Sequence, residues 1–311
     1  MSGRERFPRG IARRIRDRVA RDARVAHRKL LWSLGRPYFY RLAECGGGIY
    51  VYPDDKVSLL IAEHRFEWPL RRLICDLLRP GMTVIDAGAN LGLYTVIAGK
   101  AVGSSGRVYA FEPSTREWLR ARRCVHANQL PNVALLHMAL SDTDGAATLC
   151  VCDASRSAYN SIGVLTHPDA VGHDSHVEEV ESIRLDSFIR KRNIARVDLV
   201  KIDVEGAEEL VLRGGEQLFS RDDAPFLLCE VSDWTTLGLQ SSAQRVVEAL
   251  TAYGYQLFAL QPAADGYVLV DAPLKGAVEC QDVVALKAAH GPWFASVVGD
   301  RKAEPIKAGV S

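Results

Sequence analysis

Val84-Ile85-Asp86-Ala87-Gly88-Ala89-Asn90-Leu91-Gly92 is the stretch on which the fold turns. The apolar run 83–87 is short enough for a buried strand, and the helical pattern 91–102 follows it directly. Between them the chain must turn over Gly88, which permits a positive φ and close backbone approach, and through Asn90, which tolerates left-handed geometry. A strand-to-helix turn of this kind aims free backbone N–H groups and a helix N-terminus at a ligand. The dinucleotide fingerprint requires glycine where Asn90 stands, because the backbone there meets a pyrophosphate. The pattern here is D-x-G-x-N-x-G, so a nucleoside cofactor without pyrophosphate fits better. A tight structural turn would produce the same residues.

Outward from this loop the pattern alternates. Strands are predicted over 83–87, 107–112, 133–138, 198–203, 226–231, 255–260 and 282–286, and helices over 91–102, 114–128, 207–218 and 242–253. Such βαβ repetition implies an α/β fold, a mainly parallel sheet with helices on both faces. Ahead of it, Gly46-Gly47-Gly48 breaks the chain before a short strand at 49–52, and a helix over 68–78 stops at Pro80-Gly81. An insertion between 138 and 198 carries two more strand-like runs, 147–151 and 177–183. Its centre, 153–175, is rich in Ser, His, Asp and Gly, and a loop of this length suits a lid or binding loop.

The 311 residues are 48% hydrophobic and 25% charged, the composition of an ordinary globular chain with ample core. No apolar run approaches the roughly 18 residues of a membrane span, and the basic start lacks the apolar segment of a secretory signal. Seven scattered cysteines without a CxxC pair argue against a disulfide framework or zinc knuckle, and for a reducing, cytoplasmic setting. Cys150 and Cys152 fall on one face of a strand, as packing residues do. Residues 1–30 hold 11 Arg/Lys against 3 Asp/Glu, leaving the remainder negative in a chain of net charge +1. A basic amphipathic helix over 10–32 could lie on an anionic membrane, meet a partner, or simply be solvated. With Phe7 the only aromatic before Trp32, nucleic-acid binding is not expected.

Three carboxylate positions carry the chemistry. Glu112 ends the second strand twenty residues after Gly92, where a carboxylate accepts two hydrogen bonds from a ribose diol, and Pro113 fixes the turn. Asp203 and Glu205 follow the strand over 197–202 and should face the pocket outside the carboxyl ends of the sheet. There they can orient or deprotonate an acceptor hydroxyl, stand beside a cationic sulfonium, or, with Asp203 as ligand, hold a divalent metal. Capping of the next helix is the plainer role for them. Glu208 reads as an exposed first-turn residue. His137 reads as structural, within a strand. His167, His173 and His176, with Asp169 and Asp174 nearby, match no familiar metal spacing.

Glu67 before a helix, 80–92, Phe111-Glu112-Pro113, Ala139-Leu140-Ser141-Asp142, Leu185-Asp186 and the octet Lys201-Ile202-Asp203-Val204-Glu205-Gly206-Ala207-Glu208 together resemble the FkbM family of methyltransferases, over residues 48–235. The resemblance implies a class I, Rossmann-like methyltransferase fold with a seven-stranded sheet and S-adenosyl-L-methionine as cofactor. It implies O-methylation of a hydroxyl on a sugar, glycan or natural product. By position, Asp86, Gly88, Ala89, Asn90 and Gly92 would serve the methionine and ribose end. Glu112 would hold the ribose, with Pro113 beside it in the cofactor site, and Ala139, Ser141 and Asp142 would border the adenine. Asp203 and Glu205 would be catalytic. The expected organisation is a basic extension over 1–45, the methyltransferase domain over 46–298 with 153–176 as acceptor loop, and a disordered tail over 299–311. An NAD-dependent oxidoreductase, disfavoured by Asn90, and a non-catalytic Rossmann-like binding module are the competing readings. Acceptor identity and oligomeric state are not legible.

Overall fold

The computed structural model describes residues 26–264, 266–272, 278 and 280–299. The predicted basic arm over 10–32 lies outside these residues up to 25, with 26–33 helical, and the tail lies outside them from 300 onward. Among the described residues no helix is long and apolar enough to cross a membrane.

The central sheet is built from β3 (Thr83–Ala87), β4 (Arg107–Phe111), β5 (Val133–Leu136), β10 (Leu199–Ile202), β11 (Phe226–Val231), β12 (Gln256–Ala263), β13 (Gly266–Asp271) and β14 (Gln281–Leu286). Their order is β13-β12-β14-β11-β10-β3-β4-β5. The pairs β11–β10, β10–β3, β3–β4 and β4–β5 are parallel, while β14 runs antiparallel to β11 and to β12. This is the expected mainly parallel sheet, extended by an eighth strand, β13, which forms a hairpin with β12. The apolar run Tyr267-Val268-Leu269-Val270 was its available signal.

Consecutive strand residues serve opposite faces, and both faces are covered. Val84, Val108, Leu199 and Leu228 pack into one buried cluster, whereas Ile85, Phe111, Val200 and Leu227 pack into the other. That two-sided burial is why these strands are continuously apolar rather than alternating. On the first side lie α2 (Trp68–Leu77) and α3 (Leu93–Val102), with α1 (Lys56–Ala62) and the hairpin β1 (Tyr38–Arg41)–β2 (Gly48–Val51). Tyr40 and Leu42 are buried in the same cluster, so packed structure begins ahead of Gly46. α4 (Thr115–Ala127) packs over β2 and α3.

Sequence and structure differ at two boundaries. The strand expected over 133–138 stops with β5 at Leu136, and β6 (Ala139–Ser141), past its expected end, belongs to a second, four-stranded sheet. There β7 (Gly145–Cys152), β8 (Ser161–Ile162) and β9 (Ser175–Arg184) are the insertion's strands. The single helix expected over 207–218 is two, α6 (Glu208–Gly214) and α7 (Glu216–Phe219). The break falls where β6 passes so close that a Cβ on Gly214 would sit 2.0 Å from the Ser141 carbonyl oxygen. The elements α5 (Leu185–Arg192), α8 (Asp233–Thr236), α9 (Ala243–Ala252) and α10 (Gly291–Val298) complete the helices used below.

Candidate active site

The parallel register sets Asp86 beside Lys201 and Ala87 beside Phe111, so β3, β4 and β10 end level with one another. A cavity of about 290 Å³ opens over these ends. Its wall is formed by Gly88, Ala89 and Asn90 after β3, Glu112 and Pro113 after β4, and Asp203 and Glu205 after β10. Ala139 and Glu230 also line it, and residues 155–160 of the insertion close it from above.

The turn after β3 is held by backbone bonds at both ends. Gly88 and Ala89 donate to the Phe111 carbonyl, and Asp203 donates to the Ala87 carbonyl. Gly88 has φ 82, and a Cβ there would lie 1.8 Å from the Asp203 carbonyl oxygen, so glycine is required twice over. Asn90 is left-handed at φ 46. Its N–H donates to Glu112 Oε2 at 2.7 Å, and Ser114 N–H donates to Glu112 Oε1 at 2.9 Å. Glu112 therefore clamps the two loops together, each oxygen keeping a second lone pair. Burial pushes its carboxyl up to about 8, the Glu117 charge adding to the push and the two amides opposing it. Asp86 accepts from Thr95 Oγ1 at 2.5 Å and is buried behind the turn, off the cavity wall. Burial raises its carboxyl, against the pull of Lys201.

The opposite wall is a cluster of acids around one buried ammonium. Lys201 Nζ donates to Asp203 Oδ2 at 2.6 Å and sits 4.7 Å from the Tyr94 ring centroid. Burial alone would lower the lysine, but Asp203, Asp86 and Glu67 together hold it above its ordinary value. Burial alone would raise Asp203, yet the Lys201 charge holds it below the usual carboxylate range. Asp203, Glu205 and Glu230 each bring one oxygen within 4.8 Å of the other two, a set able to take a metal ion. Burial, then the Asp203 charge, pushes Glu205 and Glu230 well above the ordinary range. Glu67, hydrogen-bonded by the Tyr94 hydroxyl, is pushed up to about 8 by burial and by Asp282 and Asp203. The antiparallel register of β14 brings Asp282 opposite Glu230. Within this cluster Lys201 thus favours the ionised form of Asp203, while burial and the Asp203 charge oppose ionisation of Glu205 and Glu230.

The insertion supplies the roof. After β7, residues 154–159 form a 3-10 turn capped by Asp153, whose carboxylate accepts from Ser155 N–H at 2.8 Å. Tyr159 stacks on His167 with centroids 4.1 Å apart, and His167 meets Trp234 edge-on. Asp169 ties this layer down, accepting from Lys56 Nζ at 3.1 Å and from the Tyr159 hydroxyl at 3.2 Å. The loop expected over 153–176 is therefore cavity-lining at its start and latched to the body beyond.

Gly88, Ala89, Asn90, Glu112, Pro113, Ala139, Asp203 and Glu205 all meet at this cavity, whereas Asp86, Gly92, Ser141 and Asp142 lie off its wall. Ser141 is buried, and Asp142 faces Arg213 at 3.8 Å. Glu208 is not an exposed first-turn residue: it is 2% exposed, and its Oε1 accepts from Val204 and Gly206 N–H at 3.1 Å, closing the loop that presents Asp203 and Glu205. His137 lies beyond the end of β5, exposed and stacked on Trp118. Of the loop histidines, His173 faces Arg156 and His176 faces Glu178. Glu230 went unnoticed in the sequence, although an acid at the end of the apolar run Phe226-Leu227-Leu228-Cys229 was the same signal that picked out Glu112. The buried role of Lys201 had no signal of its own.

A family model described as the methyltransferase FkbM domain matches residues 86–257. Among similar proteins, Methyltransferase 1 of Beauveria bassiana is 30% identical over 145 residues, 42% of this chain and 57% of that protein. The chain thus spans less than two thirds of that relative's length. The 2-O-methyltransferase NoeI of Sinorhizobium fredii is 24% identical over 200 residues, 59% of this chain and 76% of its own. The 31-O-demethyl-FK506 methyltransferase FkbM of Streptomyces tacrolimicus is 28% identical over 217 residues, with 59% and 76% covered.

Proposed function

The chain belongs to the FkbM methyltransferase family, and from that premise we propose that it methylates a hydroxyl oxygen of a small-molecule or glycan acceptor, using S-adenosyl-L-methionine. The observation that carries this reading is the meeting of Asp203, Glu205 and Glu230 with the Gly88–Asn90 turn in one cavity. The lining fits the cofactor chemically. A sulfonium is a cation, and Glu67, Glu112, Asp203, Glu205 and Glu230 all line the cavity, with Asp203 paired to Lys201. Phe111, Leu140, Pro113 and Ala139 supply an apolar wall suited to a purine. Gly88, Ala89 and Asn90 would hold the methionine and ribose end, Glu112 the ribose diol. When bound, the cofactor supplies an electrophilic methyl group on positively charged sulfur.

The residues then have distinct tasks. Asp203, kept ionised by Lys201, accepts the proton of the acceptor hydroxyl. An alcohol is far too weak an acid to lose that proton beforehand, but its acidity rises steeply as the oxygen commits electrons to a new bond. A carboxylate in hydrogen-bond reach then suffices, even one held below the usual range by a neighbouring ammonium. Glu205 and Glu230, when protonated, donate hydrogen bonds that orient the hydroxyl. Residues 155–160 exclude water from above. Most of the acceleration comes from alignment, which can supply ~7–11 kcal/mol of a bimolecular barrier.

Calorimetry with S-adenosylhomocysteine and with NAD tests the cofactor, and binding of NAD alone would overturn the reading in favour of a dehydrogenase. Transfer of label from methyl-labelled cofactor to a panel of methyl glycosides and polyol macrolides tests the acceptor. The carboxylate trio also favours a second reading, in which a divalent cation held there acidifies the hydroxyl. Loss of turnover in EDTA with recovery in Mg²⁺ selects it; undiminished turnover in EDTA selects Asp203 acting unaided.

A further inference from the structure

Besides Glu67, φ 41, ahead of α2, two residues of the cavity wall are left-handed without being glycine: Asn90, φ 46, in the turn after β3, and Glu205, φ 51, in the loop after β10. Each costs ~1 kcal/mol or more of backbone strain and persists only where its surroundings fix it. The same five-residue piece of the insertion reaches both. Asn90 Nδ2 donates to the Ser157 carbonyl at 3.2 Å. The Ser157 hydroxyl donates to Asp55 Oδ1 at 2.6 Å, and Asp55 Oδ2 accepts from Ser58 N–H at 2.7 Å, so the piece is anchored on the first turn of α1. Four residues on, the Ser161 hydroxyl donates to the Glu205 carbonyl at 2.6 Å. Between the serines, Asn160 fixes the segment itself, its Oδ1 accepting from Cys152 N–H at 2.9 Å and its Nδ2 donating to Glu117. Ser157 is 1% exposed and Ser161 5%, so water does not compete for these bonds.

We propose that Ser157 and Ser161 are positioning residues: they lock the acceptor roof to the Asn90 turn on one side and to the Glu205 loop on the other. This rests on the methyltransferase reading, since it takes Asn90 as cofactor-facing and Glu205 as acceptor-facing. Its consequence is that filling the cofactor half of the cavity, which steadies Asn90, also steadies residues 153–162. The acceptor half is then formed second, and binding is ordered.

Hydrogen exchange read by mass spectrometry, with S-adenosylhomocysteine at saturation, tests the proposal on the full chain without an acceptor. In the wild type the ligand slows exchange in 86–93 and in 153–162, at least several-fold in each. Ser157→Ala removes the hydroxyl bond to Asp55 that holds the Ser157 carbonyl against Asn90 and leaves the cofactor turn itself unaltered, so it retains slowing in 86–93 and loses it in 153–162. Ser161→Ala speeds exchange in 203–208, and Ser161→Thr, which keeps the hydroxyl, restores it. Protection of 153–162 in Ser157→Ala equal to wild type overturns the proposal, as does a Ser161→Ala protein indistinguishable from wild type at 203–208. A wild-type protein that shows neither calorimetric binding nor slowing at 86–93 overturns the methyltransferase reading itself, and the proposal with it. A general loss of folding would lower the melting temperature and speed exchange throughout, a pattern Ser161→Thr would not repair selectively.

Discussion

Gly88 and Asp203 follow strands β3 and β10, far apart in sequence but adjacent in the sheet, and share one backbone contact that sets what each can tolerate. Gly88→Ala places a methyl 1.8 Å from the Asp203 carbonyl oxygen at a left-handed φ. Either the turn or the Asp203 loop must move, so S-adenosylhomocysteine affinity should fall about 100-fold or more (~2.7 kcal/mol) in calorimetry. Affinity within threefold of wild type would show the turn is not the cofactor's. Asp203→Asn is a different experiment. It keeps the shape but removes the acceptor for the hydroxyl proton, so turnover should drop ~10²–10⁴-fold while affinity for S-adenosylhomocysteine, with its uncharged sulfur, changes little. Full turnover in that variant removes Asp203 from the base role. The sequence supported both residues through a local argument: strand, then turn, then acid at a strand end. Glu230 obeys the same rule and completes the trio, but it stands opposite Asp282 only because β14 runs antiparallel, a register no local pattern encodes.

At the scale of elements, the strands buried on both faces were the easiest to read, because a continuous apolar run bounded by turns leaves few alternatives. β3 and β11 occupy their predicted spans residue for residue. Boundaries failed where a neighbour, not the segment, decides them: β5 ends at Leu136 and the chain passes on to β6, which pairs with β9 in the smaller sheet, and the close pass of β6 splits α6 from α7. Glu208 was misjudged for a related reason. Its position in the first turn of α6 suggests solvent, but the loop ahead folds back so that Glu208 caps its amides. The insertion's polar composition announced a binding loop, yet its latches are long-range and were illegible. One latch yields a prediction. The Lys56–Asp169 pair has both side chains more than half exposed, 56% and 55%, so it contributes at most ~1 kcal/mol to global stability. Lys56→Ala should shift the melting temperature by no more than about 2–4 °C while clearly speeding proteolytic nicking within 153–174. Unchanged nicking would show that the roof is held by its stacked and buried contacts alone.

Across the whole molecule, the site concentrates carboxyl groups whose burial opposes ionisation, and this couples its electrostatics to folding. Glu67 and Glu112 are pushed up to about 8 and Glu208 to about 7, all first by burial. Between the ordinary carboxylate range near 4.5 and these values the native state holds protons the unfolded chain has released. By linkage, stability falls as pH rises through that window, and the contribution is fully present only below it. The ligand-free protein should therefore melt at progressively lower temperature from pH 5.5 to 8.5, with Glu67→Gln flattening the fall; a melting temperature that rises over this range contradicts the assignment. The same charges should discriminate between two ligands alike except at sulfur. S-adenosylmethionine carries a positive sulfonium and S-adenosylhomocysteine a neutral thioether, so ionising Glu67, Glu112 and Glu208 favours the former. Their shared groups titrate alike and cancel in the ratio of the two dissociation constants. Calorimetry at pH 6 and pH 8.5 should find that ratio moving several-fold toward S-adenosylmethionine as pH rises. In Glu67→Gln the movement should shrink, because one of the three titrating charges is gone. A ratio that stays constant would mean the sulfur lies outside the field of these carboxyls, and the cofactor would have to be placed elsewhere in the cavity.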